Sequence, residues 1–219
     1  MTRFPLKAAV AAIALMAAGA ASAATVPAVD LLNTPALVVG SPTFVVGYRF
    51  GVLSDVQVTA LGAYDYRLDG FNGRADVGLY TLTGELLASV GMDGAEGYLV
   101  DQFRYADLAA PVRLTGGTEY VLGSWSNDPN SFFNANYAAA SGGRVQLVAD
   151  SRLELLRNRD LAFVTALSFP SREPSNTHLG SFGPNMLIED VAIAPVPVPA
   201  GGVLLLTGIA AFAARRKRG

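Results

Sequence analysis

Apolar and polar side chains alternate with a period of two along the middle of this chain, and turn residues interrupt the alternation every few positions. The stretches Phe44 to Phe50 and Val56 to Leu61 alternate as half-buried strands do. Asp76 to Tyr80 and Glu85 to Val90 flank Thr81-Leu82-Thr83-Gly84, which reads as a hairpin. Val112 to Leu114 leads through Thr115-Gly116-Gly117 into Thr118 to Gly123, a second hairpin signal. Further strands are expected at Arg144 to Val148, Arg152 to Leu156, Leu161 to Ser168 and Met186 to Ile193. Ser151 to Asp160 has a short helix as its alternative, because Leu, Glu and Arg favour one. Eight to ten short strands with no long helical pattern predict an all-β fold, a β-sandwich of jelly-roll or immunoglobulin-like topology.

The two ends follow a different pattern and bound the domain. Arg3 and Lys7 precede an apolar run from Ala8 to Ala18, and Ala21-Ser22-Ala23 supplies small residues ahead of a cleavage point. Those are the three parts of a secretory signal, so 1–23 is read as a signal peptide removed by signal peptidase after Ala23, or one residue later. The apolar run is too short for a membrane span of about 20 residues. At the other end, residues 194–200 are Pro-rich and extended, because each Pro biases its predecessor away from helix. Val203 to Ala214 is apolar, and Arg215, Arg216, Lys217 and Arg218 follow. Ala200 to Ala214 makes roughly 22 Å of helix at about 1.5 Å per residue. A bilayer core is about 30 Å thick, so this is a short transmembrane segment in the inner membrane. The basic cluster would hold the C-terminus on the cytoplasmic side as a membrane stop. The reading is therefore a domain over 24–193, with a linker, transmembrane segment and sorting tail over 194–219.

Val196, Pro197, Val198, Pro199 and Ala200, with the apolar helix and basic cluster behind them, resemble the PEP-CTERM family of sorting tails in its VPLPA-like variant. That resemblance implies an exosortase, a membrane-embedded cysteine transpeptidase, acting near the motif. It also implies a Gram-negative bacterium that makes extracellular polysaccharide, and a protein secreted to the cell surface with a transient or retained anchor. The Glu of the commoner Val-Pro-Glu-Pro form is missing here. A plain C-terminal anchor with a Pro-rich linker is the alternative. A second resemblance covers most of the domain. Val58 to Gly62, Asp69-Gly70, Val77 to Tyr80, Pro111 to Gly123 and Phe182 to Leu187 are similar to an uncharacterised β-sandwich domain of secreted bacterial proteins. It implies fold and location only.

Charge and composition narrow the function. All 18 acidic residues lie between Asp30 and Asp190, whereas six of the 16 basic residues sit at the two ends. The stretch between holds ten Arg and a formal net charge of −8. Nucleic-acid binding neutralises phosphates with basic patches, so it is excluded as a partner. With no cysteine, neither disulfides nor thiolate metal sites are available. The roughly 170 residues of the domain suffice for a core that holds itself together.

Chemistry is sparse. His178 is the one histidine, in a polar segment, and no Gly-x-Ser-x-Gly elbow accompanies it. A glycosidase needs two carboxylates only, but the sequence singles out no pair. The chain reads as a non-enzyme. Asp65, Asp69, Asn72 and Asp76, set among Gly70 and Gly73, are candidate oxygen ligands for Ca²⁺. The alternative is a hairpin loop whose Asp-Gly and Asn-Gly pairs supply turn conformations. No other cofactor is expected. Trp125, Asn127, Asp128, Asn134 and Tyr137, interleaved with Phe132, Phe133, Asn130 and Asn136, are candidate sugar-binding residues. Rings offer an apolar face and amides offer paired donors and acceptors. The alternative is that the rings cap the core. The leading reading is a non-enzymatic surface or matrix protein associated with exopolysaccharide. A carbohydrate-binding module comes second and a secreted glycoside hydrolase third.

Overall fold

A computed structural model of the chain describes residues 24–32, 43–128, 133–136, 145–174 and 179–191, with only the backbone at 133–136, 145–146 and 179–181. The signal segment, the sorting tail, Tyr137 and His178 lie outside the described residues. Every regular element among the described residues is a β-strand, and there are 14 rather than the expected eight to ten. They are β1 (Val26–Pro27), β2 (Val29–Leu31), β3 (Phe44–Val52), β4 (Val56–Tyr64), β5 (Arg74–Thr81), β6 (Leu86–Asp93) and β7 (Tyr98–Val100). Then come β8 (Phe103–Leu114), β9 (Glu119–Ser126), β10 (Phe133–Asn136), β11 (Val145–Ala149), β12 (Leu153–Ala162), β13 (Leu179–Phe182) and β14 (Pro184–Asp190).

Two five-stranded sheets, ordered β1-β14-β4-β8-β7 and β12-β3-β9-β5-β6, pack face to face, and β13-β10-β11-β2 form a smaller third sheet. The arrangement is all-β and β-sandwich-like, as the alternation required. Ala75, Val77 and Leu79 of β5 point inward and are fully buried, while Arg74 and Asp76 between them face out. Val58 and Ala60 of β4, Tyr105 of β8 and Met186 and Ile188 of β14 close the core from the opposite sheet. Aromatic pairs knit it together, with Tyr48 against Phe182 at 5.6 Å and Tyr64 edge-on to Phe103 at 5.9 Å. Burying such rings is worth about 0.5–1.5 kcal/mol per pair beyond their area.

Three expectations about connections are corrected. Leu114 and Glu119 do not join a hairpin, because β8 lies in one large sheet and β9 in the other. The turn between them is tied instead to the β3–β4 loop: Gly117 N donates to Val52 O at 2.7 Å and Gly116 N to Asp55 Oδ1 at 2.8 Å. The loop after Tyr64 is likewise a crossing between sheets and not a hairpin. The strand expected from Leu161 to Ser168 stops at Ala162, where Phe163 turns the chain with a φ of 63°. The segment beyond lies over the outer face of the β3-β9-β5 sheet. There Phe169 meets Tyr80 edge-on at 5.5 Å, and Asp160 pairs with Arg172. Ser151 to Asp160, by contrast, is strand and not helix from Leu153 onward. β8 itself runs much longer than the sequence suggested. Its pairing with β4 jumps from Val58↔Val112 to Ala60↔Asp107, so Pro111 sits in a bulge, where a missing backbone donor does no harm.

Close approach of β3 and β9 depends on paired glycines, Gly47 opposite Gly123. A Cβ at Gly47 would run into the Leu122 carbonyl oxygen, a backbone atom that cannot step aside. Gly47→Ala is therefore expected to cost about 1–3 kcal/mol in urea unfolding. Gly51→Ala, whose Cβ would find ordinary contact at 3.7 Å from Leu156 Cδ1, should stay within about 0.5 kcal/mol of the parent.

Candidate functional site

The crossing from β4 to β5 carries the densest set of polar residues, and an ion pair organises it. Asp65 leaves the end of β4 with its carboxylate pointing inward. Oδ2 accepts from Arg104 Nε at 2.9 Å and from Gly70 N at 3.0 Å. Both side chains are almost sealed from water, at 1% and 7% exposed. Arg104 also donates from Nη1 to Ala95 O at 3.0 Å, tying the β6–β7 loop to the same point. Gly70 and Gly73 adopt φ values of 100° and 135°, which only glycine holds without strain.

Asn127 and Asp128, two of the candidate sugar-binding residues, clamp this loop. Asp128 Oδ2 accepts from Asn72 N at 2.7 Å and Asn127 Oδ1 from Arg74 N at 2.6 Å. Ser126 Oγ donates to Arg74 O at 2.8 Å and accepts from Asp128 N at 3.0 Å. Trp125 is half-buried on the outward face of β9, opposite Val45 on one side and Asp76 on the other. Asn134 lies on β10, paired with Ser181 of β13. The described residues therefore spread the aromatic and amide set over β9, a turn and β10.

Of the four candidate metal ligands, Asp65, Asp69 and Asn72 line one recess of about 240 Å³ together with Asp128, Tyr66 and Arg67. Asp76 stands apart on the outer face of β5, paired with Arg74 at 2.9 Å; Arg74 also reaches Asp93 at 2.6 Å. The Asp65 charge is matched by Arg104, and Arg67 brings a second cation to the wall. Among the described residues no group of three His, Cys, Asp or Glu side chains is arranged to hold a metal ion.

A larger recess, about 420 Å³, opens at a place the sequence did not mark. Pro27, Val29 and Asp30 line one side, and Asp101, Gln102 and Phe103 of the β7–β8 turn line the other. Asn185 fixes β2 there: its Oδ1 accepts from Val29 N at 3.2 Å and its Nδ2 donates to Val29 O at 2.8 Å. Asp101 turns the chain with a φ of 54°. Asp30 remains exposed on one side, yet partial withdrawal from water raises its pKa above 3.8, and the Asp101 and Asp150 carboxylates add to the rise. Tyr105, two residues beyond Phe103 on the inward side of β8, is fully buried. Its hydroxyl has no hydrogen-bond partner among the described residues. Burial above all, and then Tyr48, Asp101 and Asp30, hold its pKa well above 10. Two- and three-residue strands are too short to show a period, which is why Asp30 gave no signal in the sequence.

Two packed, predominantly antiparallel sheets with a polar recess at one end define a β-sandwich-like domain. The chain belongs to the family described as a domain of unknown function, DUF4082, which matches residues 34–177 and so takes in β3 to β12. No curated protein matches the chain.

Two variants separate structure from surface here. Asp65→Ala leaves the Arg104 guanidinium buried without a counter-charge and is expected to cost about 3–5 kcal/mol. Asp69→Asn at the rim should change urea unfolding by less than about 0.5 kcal/mol. For Asp30 the sign runs the other way. Its folded pKa lies above the unfolded value of 3.8. Its contribution is therefore complete below that value and is lost as pH rises through the folded pKa. Asp30→Asn, which relieves the repulsion from Asp101 and Asp150, should melt higher than the parent at pH 7 and equal to it at about pH 3.

Proposed function

We propose that the chain is an exported, exosortase-sorted, non-enzymatic protein of the cell surface or extracellular matrix that associates with exopolysaccharide. The observation that carries this reading is the order of parts at residues 196–218. Pro-rich Val196-Pro197-Val198-Pro199-Ala200 stands, with Gly201-Gly202 between, before an apolar segment of about 12 residues, Val203 to Ala214, and a four-residue basic stop. A signal segment ending at Ala21-Ser22-Ala23 complements it by sending the domain across the inner membrane. The domain's net charge of −8 keeps it soluble outside the cell and away from nucleic acid.

Within the sandwich, a jelly-roll topology is favoured over an immunoglobulin-like one. Strand orders β1-β14-β4-β8 and β3-β9-β5-β6 support it, since among these eight strands only β5 and β6 follow one another within a sheet. β12 and β7 then count as additions at the edges. A carbohydrate-binding role is the second reading, favoured by the recess of about 420 Å³ with its mixed apolar and carboxylate walls.

Mass spectrometry of the surface-exposed protein tests the sorting. The expected product begins at Ala24 or Thr25 and has lost the tail beyond the 196–200 motif. Pro197→Ala with Pro199→Ala lets helix extend outward and should leave the tail on a membrane-bound protein. A C-terminus still at Gly219 in the wild type would leave a plain membrane anchor in place of a sorting signal.

A further inference from the structure

The larger recess lies at the end of the sandwich, where the chain leaves β1 after two residues and passes toward the β7–β8 turn. At about 420 Å³ it is far larger than one ion needs and lies within the range of small-molecule clefts. Its walls are of two kinds. Pro27 and Leu31, with the more deeply set Val29 and Phe103, are apolar, whereas Asp30 and Asp101 are acceptors only and Gln102 both donates and accepts.

We propose that this recess takes one pyranose ring of a polysaccharide, uncharged or amine-bearing and not a uronate. Sugar hydroxyls are donors that match two carboxylates, and the C–H face of the ring matches Pro27 and Leu31. A uronate would add a third negative charge to a site that already holds Asp30 and Asp101, whereas an ammonium group would relieve their repulsion. This inference rests on the polysaccharide association proposed above and names where on the domain it occurs.

Calorimetry on the full chain tests it with three probes: cello-oligosaccharide, chitosan oligosaccharide and oligogalacturonate. Binding is expected for the first, more tightly for the second, and not for the third. Asp101→Asn keeps a residue that tolerates the left-handed turn and should weaken binding at least tenfold. Asp69→Asn, in the smaller recess, should bind as the parent does. Equal binding of oligogalacturonate, no binding of any probe, or unchanged affinity in Asp101→Asn would overturn the proposal. Isolated extracellular polysaccharide separates this failure from a wider one. If parent and Asp101→Asn retain it equally, the site is wrong and the surface association stands. If the parent retains none, the association itself falls.

Discussion

Asp65 and Arg104 meet where β4 ends and β8 begins, and neither charge could be buried there alone. Removing an ion from water costs several kcal/mol, which only a well-placed partner with further hydrogen bonds offsets. Arg104 supplies the partner, and Gly70 N and Ala95 O take up bonds around it. The consequence is architectural. One point holds the β4–β5 crossing, the start of β8 and the β6–β7 loop, three segments that pass between or beside the two large sheets. With no disulfide available, a sandwich whose connections cross so often needs such a fixed point, since apolar packing is not directional. The pair specifies the route of the chain more than it adds to the free energy of folding.

The same economy governs the rest of that end. Asn127 and Asp128 follow directly on the buried strand β9 and reach back to the amides of Arg74 and Asn72. Their side chains complete backbone groups that the tight glycine turns leave without ladder partners, groups that are expensive to bury unbonded. A loop rich in Asp, Asn and Gly is thus explained by the accounting of its own hydrogen bonds.

Period two made the sheets legible: β3, β4, β5 and β6 stand close to where alternation placed them. What alternation does not encode is partnership. Thr115-Gly116-Gly117 has the composition of a hairpin turn, yet its amides bond to Val52 O and Asp55, and the strands on either side enter different sheets. Residues 103–111 went unread because Pro111 and a bulge break the pattern that β4 pairing restores. The candidate site was legible only as far as residue type. Asp65, Asp69 and Asn72 do share a recess, but the Arg104 that neutralises Asp65 is 39 positions away in sequence. Asp30 and Asp101 come from opposite ends of the half-domain, and no local signal joins them.

Where the sandwich is closed, side chains fill the space between the sheets, so room for a ligand has to come from an incomplete strand. β1 pairs with β14 only at Val26 and Pro27, after which Ala28 N donates to Met186 O and the chain leaves the sheet. Asn185 accepts the departing Val29, so the exit is held open by hydrogen bonds rather than left loose. The carboxylates of Asp30 and Asp101 both line the gap. Such an arrangement is poor for stability, because partial burial and the neighbouring Asp101 charge raise the Asp30 pKa. A cost of this kind beside an open recess points to a place where something else completes the bonding.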